Sequence, residues 1–105
     1  MGNLHAGHMS LVDVARTLAD RVVVSIFVNP TQFGPGEDFE RYPRDEARDA
    51  GLAAAAGAAV LFAPARAEVY PAGFSTRVEV GGLTGVLCAS AGSRGADHFH
   101  GVATV

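Results

Sequence analysis

Hydrophobic positions in the first part of the chain follow a helical period. Residues 8–20 are predicted to form an amphipathic helix, because apolar side chains recur at helical spacing with charged ones opposite. The apolar positions are Leu11, Val14, Ala15 and Leu18, and the charged ones are Asp13, Arg16 and Asp20. Asn3, a few residues earlier, is the candidate cap of this helix.

The pattern then changes to a continuous apolar run. Residues 22–28 are mostly β-branched and have almost no polar alternation. Such a run is typical of a strand in a parallel sheet that is covered on both faces. The strand is predicted to end at Asn29, because Pro30 cannot donate to a sheet ladder. Residues 31–42 are predicted to form a loop.

A second helix and a second strand follow in the same order. The helix is predicted from Arg44 to Ala56, with Pro43 at its first position, and Gly57 ends it. Residues 58–63 form another short apolar run, which predicts a second buried strand. The order helix, strand, helix, strand predicts an α/β fold built around a parallel sheet.

Patterns in the last third of the chain are weaker. Residues 76–80 alternate polar and apolar and predict an edge strand, whereas residues 81–97 are glycine-rich and are predicted to be irregular. Another helix is predicted to begin at His100. Because no strand precedes the first helix and no stop signal precedes Val105, we expect residues 1–105 to be one partial domain. It would lack its first strand and its C-terminal part.

Composition excludes several classes of protein. Hydrophobic residues make up 49% of the 105 residues, which excludes a disordered chain. The net charge of −3 argues against nucleic acid as a partner. All eight positive charges are arginine. Cys88 is the only cysteine and favours a reducing compartment, and no secretory or membrane segment is evident, so we expect a cytoplasmic protein.

The strongest candidate chemistry lies at the N-terminus, in the sequence Met1-Gly2-Asn3-Leu4-His5-Ala6-Gly7-His8. His5 and His8 are three residues apart at a helix start, so both lie toward one side of the first turn. Free N–H groups there attract phosphate, and two imidazoles can donate to phosphate oxygens as negative charge develops. Gly7 leaves room for a base or ribose to approach the backbone. The alternative is a pair of polar histidines without a catalytic role.

A second candidate follows the first predicted strand, at Asn29-Pro30-Thr31-Gln32-Phe33. Ligands of open α/β sheets lie outside the carboxyl ends of the strands. The amides of Asn29 and Gln32 can orient hydroxyl and carboxylate groups without adding charge. Taken alone, the segment favours the simpler interpretation of a turn at a strand end.

Three further groups have less specific patterns. The cluster Arg41-Tyr42-Pro43-Arg44 is either a solvated surface or part of a lid over a ligand. Asp97-His98-Phe99-His100 brings the histidines to four, but no carboxylate or cysteine has ligand spacing, so we predict no metal site. Cys88 is predicted to be a small buried residue.

Longer strings of the sequence resemble a known family. They are MGNLHAGHMSLVDVAR and VVVSIFVNPTQFGPGEDFERYPRD, with further matches in FAPARAEVYPAGFSTRVEV, GLTGVLC and HFHGVATV. They resemble the pantothenate synthetase (pantoate–β-alanine ligase) family of the HIGH-motif nucleotidylyltransferase superfamily, whose signature is matched by His5-Ala6-Gly7-His8. The resemblance covers essentially the whole chain and implies a Rossmann-like parallel sheet with flanking helices.

The resemblance also implies a reaction. In this family ATP and pantoate give pantoyl adenylate and pyrophosphate, and β-alanine then displaces AMP to form pantothenate, a coenzyme A precursor. Met1 to His8 would bind ATP, with His8 as the proton donor and His5 assisting at the phosphates. Gln32 would bind pantoate near the place where β-alanine enters, and Asn29 would help to shape that pocket. Mg²⁺ would accompany ATP, and the full-length protein would be a homodimer.

The chain departs from the family at several points. Thr31 replaces a commoner methionine, residues 89–97 are longer than the usual turn, and His100 stands where a charged residue is more familiar. The lysine-bearing segments that contact ATP phosphates in the family have no counterpart. We therefore expect an N-terminal part of a pantothenate synthetase that is inactive in isolation. The alternative is a non-catalytic module that binds nucleotide or pantoate.

Overall fold

A computed structural model describes residues 1–34, 37, 39–82 and 98–105 of the chain. The chain divides into two units. Unit 1 consists of Met1–Val28 and Pro43–Pro64, and unit 2 consists of Asn29–Tyr42 and Ala65–Val105. The candidate histidines therefore belong to unit 1, and the candidate amides belong to unit 2.

Unit 1 contains two helices and two strands in alternation. They are α1 (Ala6–Leu18), β1 (Val23–Ser25), α2 (Glu46–Ala55) and β2 (Val60–Phe62). The two strands pair in parallel, with Val24 opposite Leu61, and α1 packs against α2. This arrangement confirms the predicted α/β order and the parallel sheet. Both strands are shorter than the apolar runs that predicted them.

The start of α1 differs from the prediction. The cap is His5 rather than Asn3, because the His5 side chain accepts a hydrogen bond from the backbone N–H of Gly7. Asn3 instead has a φ of 53°, in the left-handed region, whereas a helix cap has extended backbone. The helix begins at Ala6, two residues before the predicted start.

The start of α2 was also predicted wrongly. Asp45 caps this helix, since its side chain accepts from the backbone N–H of Arg48, and Pro43 lies outside the helix. A capping carboxylate satisfies a free donor of the first turn, which the proline ring cannot do. The predicted end is confirmed, because Gly57 follows the helix with a φ of +86°, a conformation that favours glycine.

The apolar core of unit 1 centres on Leu4, Val12 and Ala53, the buried hydrophobic residues of the part that the structure describes. On α1 the buried position is Val12, whereas the predicted inward positions Leu11, Val14 and Leu18 are exposed. The helix thus has two apolar faces, and periodicity alone does not tell which one is covered. The expectation that the first strand is covered on both faces is wrong for the described residues, since Val23 is 60% exposed.

The described residues of unit 2 form a 3₁₀ turn (Pro30–Gln32) and two short helices, α3 (Arg66–Val69) and α4 (His98–Thr104). Helix α4 packs against the 3₁₀ turn and begins two residues before its predicted start. The sequence pattern did not predict α3, and it predicted the edge strand at residues 76–80 wrongly. These residues form no strand, and the Val78 N–H donates to Thr104 Oγ1 at 3.0 Å instead.

Two other sequence predictions concern residues outside this description. The first is the irregular segment predicted at residues 81–97, of which residues 83–97 lie outside the described part of the chain. The second is the predicted burial of Cys88, which is one of those residues. Among the helices that the structure describes, α1 is the longest at 13 residues, and none combines the length and apolar character needed to cross a bilayer.

Candidate functional site

The two N-terminal histidines form a reciprocal cap at the start of α1. His5 Nδ1 accepts from the Gly7 N–H at 3.1 Å, and His8 Nδ1 accepts from the His5 N–H in a long contact of 3.4 Å. Their ring centroids are 4.0 Å apart, with the ring planes tilted by 45°. The spacing of three residues therefore does bring both imidazoles together at the first turn, as the sequence predicted.

This capping arrangement sets the tautomers of both histidines. A neutral imidazole has one nitrogen that accepts and one that donates. Because Nδ1 accepts in both His5 and His8, Nε2 carries the proton in each neutral ring. Both side chains are thus supplied with an Nε2–H donor, the group that a phosphate oxygen requires.

Gly7 lies close to the His5 ring. A Cβ at this position would stand 3.0 Å from His5 Cε1 and 3.1 Å from His5 Nδ1. A side chain at residue 7 would therefore displace the ring that caps the helix. This gives Gly7 a packing role besides the predicted one, the close approach of a ligand, which stays a prediction.

Asp49 of α2 is a residue of this site that the sequence analysis missed. Its Oδ2 accepts the Asn3 N–H at 2.7 Å, and its Oδ1 accepts the Leu4 N–H at 2.7 Å. The Asp49 side chain is 2% exposed, and Arg48 Nη1 lies 3.5 Å from Oδ1. From sequence, Asp49 is only one of several acidic residues early in a helix, so no pattern distinguishes it.

In unit 2, Asn29 is completely buried and its amide holds the turn that follows. Asn29 Nδ2 donates to the Gly101 carbonyl at 2.8 Å. Asn29 Oδ1 accepts from the Thr31 hydroxyl at 2.7 Å, from the Tyr70 hydroxyl at 2.9 Å and from the Thr31 N–H at 3.2 Å. The amide of Asn29 thus joins three segments of unit 2.

Gln32 is held through its backbone. His98 Nδ1 donates to the Gln32 carbonyl at 2.8 Å, which ties α4 to the end of the 3₁₀ turn. His98 is buried, and Nδ1 carries the proton in this arrangement. Sequence reasoning considered His98 only as a metal candidate, because its position before a helix gave no sign of a contact with Gln32.

A cavity of about 360 Å³ lies within unit 2, next to the Asn29 network. Its lining includes Thr31, Tyr70, Arg77 and His100, together with Phe74 and Thr104. Tyr42 packs edge-to-face on Phe33, with centroids 5.7 Å apart, so at least one member of the charged cluster at residues 41–44 contributes to packing. A lid role for that cluster stays a prediction.

The four histidines are the candidates for a metal site, and its predicted absence stays a prediction. The described residues contain no group of three or more histidine, cysteine, aspartate or glutamate side chains arranged to hold an ion. His5 and His8 belong to unit 1, whereas His98 and His100 belong to α4 in unit 2. Asp97, the first residue of the second histidine group, lies outside the described part.

The parallel strand pair, its connecting helix and the histidine-capped helix ahead of it define an α/β protein of the Rossmann-like class. Comparison with known proteins narrows this class of fold to one family. A family model described as pantoate–β-alanine ligase matches residues 1–105. The chain belongs to the pantoate–β-alanine ligase family, which confirms the resemblance noted from its motifs.

Individual relatives agree with the family model. The chain is 60% identical over 105 residues to a pantothenate synthetase of Moorella thermoacetica and 58% identical to one of Rhodospirillum rubrum. Both alignments cover 100% of this chain and 36% of the relative. The chain therefore spans little more than a third of the length of these relatives.

Solved structures support the same fold. A pantothenate synthetase of Thermus thermophilus matches with a TM-score of 0.92 and 54% identity, over 99% of this chain and 37% of that one. A pantoate–β-alanine ligase of Francisella tularensis, complexed with β-γ ATP and β-alanine, matches with a TM-score of 0.85 and 38% identity. That match covers 99% of this chain and 39% of the other.

Proposed function

We propose that the protein carrying this chain condenses pantoate with β-alanine in an ATP-dependent reaction, and that residues 1–105 form the nucleotide-binding part of its domain. The observation that carries the proposal is the family match along the whole chain. The Francisella ligase complex with β-γ ATP and β-alanine supports two of the substrates. Pantoate as the third follows from the name of the family.

In the first proposed step, a carboxylate oxygen of pantoate attacks the α-phosphorus of ATP. A mixed anhydride, pantoyl adenylate, forms, and pyrophosphate leaves. Negative charge accumulates on the phosphate oxygens, where hydrogen-bond donors at fixed positions are most effective. The Nε2–H groups of His5 and His8 are suited to this role, with His8 as the proton donor. The proposed ATP-binding segment is residues 1–8 as a whole: Met1, Gly2, Asn3, Leu4, His5, Ala6, Gly7 and His8.

In the second proposed step, the amine of β-alanine attacks the carbonyl carbon of pantoyl adenylate. The amide bond of pantothenate forms, and AMP leaves with the oxygen that pantoate contributed. Gln32 is the proposed pantoate ligand. Asn29 acts by shaping the pocket rather than by reaching the substrate, because its amide oxygen already accepts three hydrogen bonds and its amide nitrogen donates to Gly101.

Mg²⁺ enters this scheme as part of the nucleotide substrate. Hard phosphate oxygens are ligands that Mg²⁺ prefers, and the ion commonly keeps several waters besides. The described residues offer no ready-made group of three ligands, and both oxygens of Asp49 accept backbone N–H groups. We propose from this ligand preference that the phosphates of ATP hold the metal. A cytoplasmic homodimer without nucleic-acid or membrane partners completes the proposal.

The proposal is tested by measuring pyrophosphate release from ATP by the protein that carries this chain. We expect release to require pantoate, and AMP to appear when β-alanine is added. AMP formation without pantoate contradicts the proposal. Titration of the 105-residue chain with ATP addresses the alternative of a non-catalytic binding module. Micromolar binding without turnover supports that alternative, and no binding supports a mere part of the ligase.

A further inference from the structure

The loop that precedes α1 has an unusual backbone. Gly2 and Asn3 both have positive φ angles, +87° and 53°. Glycine adopts this conformation freely, but for asparagine the left-handed region is unfavourable relative to the helical or extended regions. A contact from outside the loop would therefore stabilise residues 2–4 in this shape. The same residues lead directly into the histidine cap of α1.

Asp49 supplies that contact. Its two carboxylate oxygens accept the N–H groups of two successive residues, Asn3 and Leu4, each at 2.7 Å. Hydrogen bonds of this length to an ionised acceptor are stronger than those between neutral groups. Asp49 is 45 to 46 residues away in sequence and is fixed on α2, so these bonds lock the loop to a rigid helix.

Packing around the carboxylate leaves little freedom for the loop. A Cβ on Gly2 would lie 3.1 Å from Asp49 Oδ2 and 3.2 Å from Ile26 Cγ2, so the backbone of residue 2 passes directly over the carboxylate. Leu4 is buried beside it. Arg48 is a weaker neighbour, because its guanidinium is half exposed and lies 3.5 Å from Oδ1.

We propose that Asp49 is a positioning residue of the nucleotide site: through the backbone of Asn3 and Leu4 it sets the place from which His5 and His8 meet the phosphates of ATP. Asp49 itself does not touch the nucleotide in this scheme, because both of its oxygens are already used by the loop. The inference rests on the proposed function, and it assigns a specific step, ATP binding, to a residue outside the motif.

The variant that tests the proposal is Asp49→Asn. An asparagine keeps one acceptor oxygen but sets an NH₂ group against a backbone N–H donor, so one loop bond is lost and two donors face each other. The matched control is Ala53→Gly, which weakens the same helix at a buried position and leaves both hydrogen bonds of Asp49 to the loop in place. Both variants are compared with the unaltered protein that carries this chain.

We expect Asp49→Asn to raise the KM for ATP about tenfold, the cost of a lost charge-assisted hydrogen bond, while the KM for pantoate changes less than about twofold. Ala53→Gly should leave both KM values unchanged. Equal shifts of the ATP KM in the two variants, or no shift in either, overturn the proposal. Loss of pantoate dependence in the unaltered protein overturns the proposed function instead.

A second measurement does not depend on folding of the variant. In the unaltered protein, the amide protons of Asn3 and Leu4 should resonate downfield and exchange slowly with solvent, since both donate to a buried carboxylate. The amide of Gly51 on the exposed side of α2 gives a reference for an ordinary helical hydrogen bond. Rapid exchange at both Asn3 and Leu4 contradicts the positioning role.

Discussion

Two buried polar side chains, Asp49 in unit 1 and Asn29 in unit 2, each hold a loop that carries proposed site residues. Both are almost inaccessible to solvent. Burying a polar group lowers the stability of the fold unless its hydrogen bonds are made. The groups that bond to each of these side chains are therefore held at fixed positions. Asp49 is satisfied by backbone N–H groups distant in sequence, and Asn29 by a distant backbone carbonyl, the Tyr70 hydroxyl and the neighbouring Thr31.

Removing parts of the Asn29 network should have graded effects. Tyr70→Phe removes one of three donors to Asn29 Oδ1 and should lower the free energy of unfolding by about 1 kcal/mol. Asn29→Ala removes the donor to the Gly101 carbonyl and the shared acceptor of the Thr31 and Tyr70 hydroxyls, and should lower it by about 3 kcal/mol. Urea unfolding of the protein carrying this chain measures both, and equal losses would refute the central role of Asn29 in this network.

Two glycines of unit 1 should respond in opposite ways to alanine. Gly2→Ala places a Cβ against Asp49 and Ile26 at a positive φ, and should lower the free energy of unfolding by about 2 kcal/mol. Gly51→Ala lies within α2 with no atom within 4 Å of its new Cβ, and should raise it by about 0.5 kcal/mol. A neutral Gly2→Ala would be inconsistent with the loop geometry.

At the scale of secondary-structure elements, α1 joins a capping role and a chemical role in one side chain. His5 caps the helix through Nδ1 and offers Nε2–H to a ligand. These roles separate on mutation, because asparagine is among the best helix caps but has no imidazole. The element therefore allows stability and catalysis to be tested independently.

His5→Asn should keep the free energy of unfolding within about 0.5 kcal/mol while lowering pantoate-dependent pyrophosphate release by about 10²-fold. His5→Ala should lower the release equally and also cost about 1 kcal/mol of stability, because the cap is lost. Steady-state assays paired with thermal melts separate the two effects. Full activity in His5→Asn would mean that His5 is only a cap.

The order and type of the elements in unit 1 could be predicted because helical and strand periods differ clearly in residues 8–28. Their boundaries could not. Capping by His5 and Asp45 depends on side-chain contacts with specific backbone N–H groups. Asn3 and Pro43 are residue types that are also common at a helix start, so the sequence alone does not distinguish them from the true caps. The predicted strand at residues 76–80 has the right alternation, but the Val78 N–H bonds to a threonine side chain in α4.

At the scale of the whole molecule, the candidate site was predictable only in part. The histidine pair and the amides belong to contiguous motifs, so sequence reveals them directly. Asp49, Tyr70 and His98 act on those motifs from 39 to 66 residues away in the chain, through one or two hydrogen bonds each that no local pattern encodes. Such residues become visible only when the fold brings the segments together.

The distribution of apolar side chains in unit 1 adds to this picture. Val23 and Val60 are paired in register on adjacent strands, and both are more than half exposed, as is Phe62. The exposed face of α1, with Leu11, Val14 and Leu18, is also apolar.

The chain spans 36% of the length of its relatives in Moorella and Rhodospirillum. The proposed activity is therefore assigned to the protein that carries this chain and not to residues 1–105 alone.

The central proposal is that the protein carrying this chain activates pantoate as an acyl adenylate. Oxygen isotope transfer tests it most directly: the reaction is run with pantoate labelled with ¹⁸O in its carboxylate, and the AMP is analysed by mass spectrometry. Attack of the carboxylate on the α-phosphorus predicts that a labelled oxygen appears in the phosphate of AMP, in step with pantothenate formation. Unlabelled AMP, or label in the other phosphate products, would contradict the account.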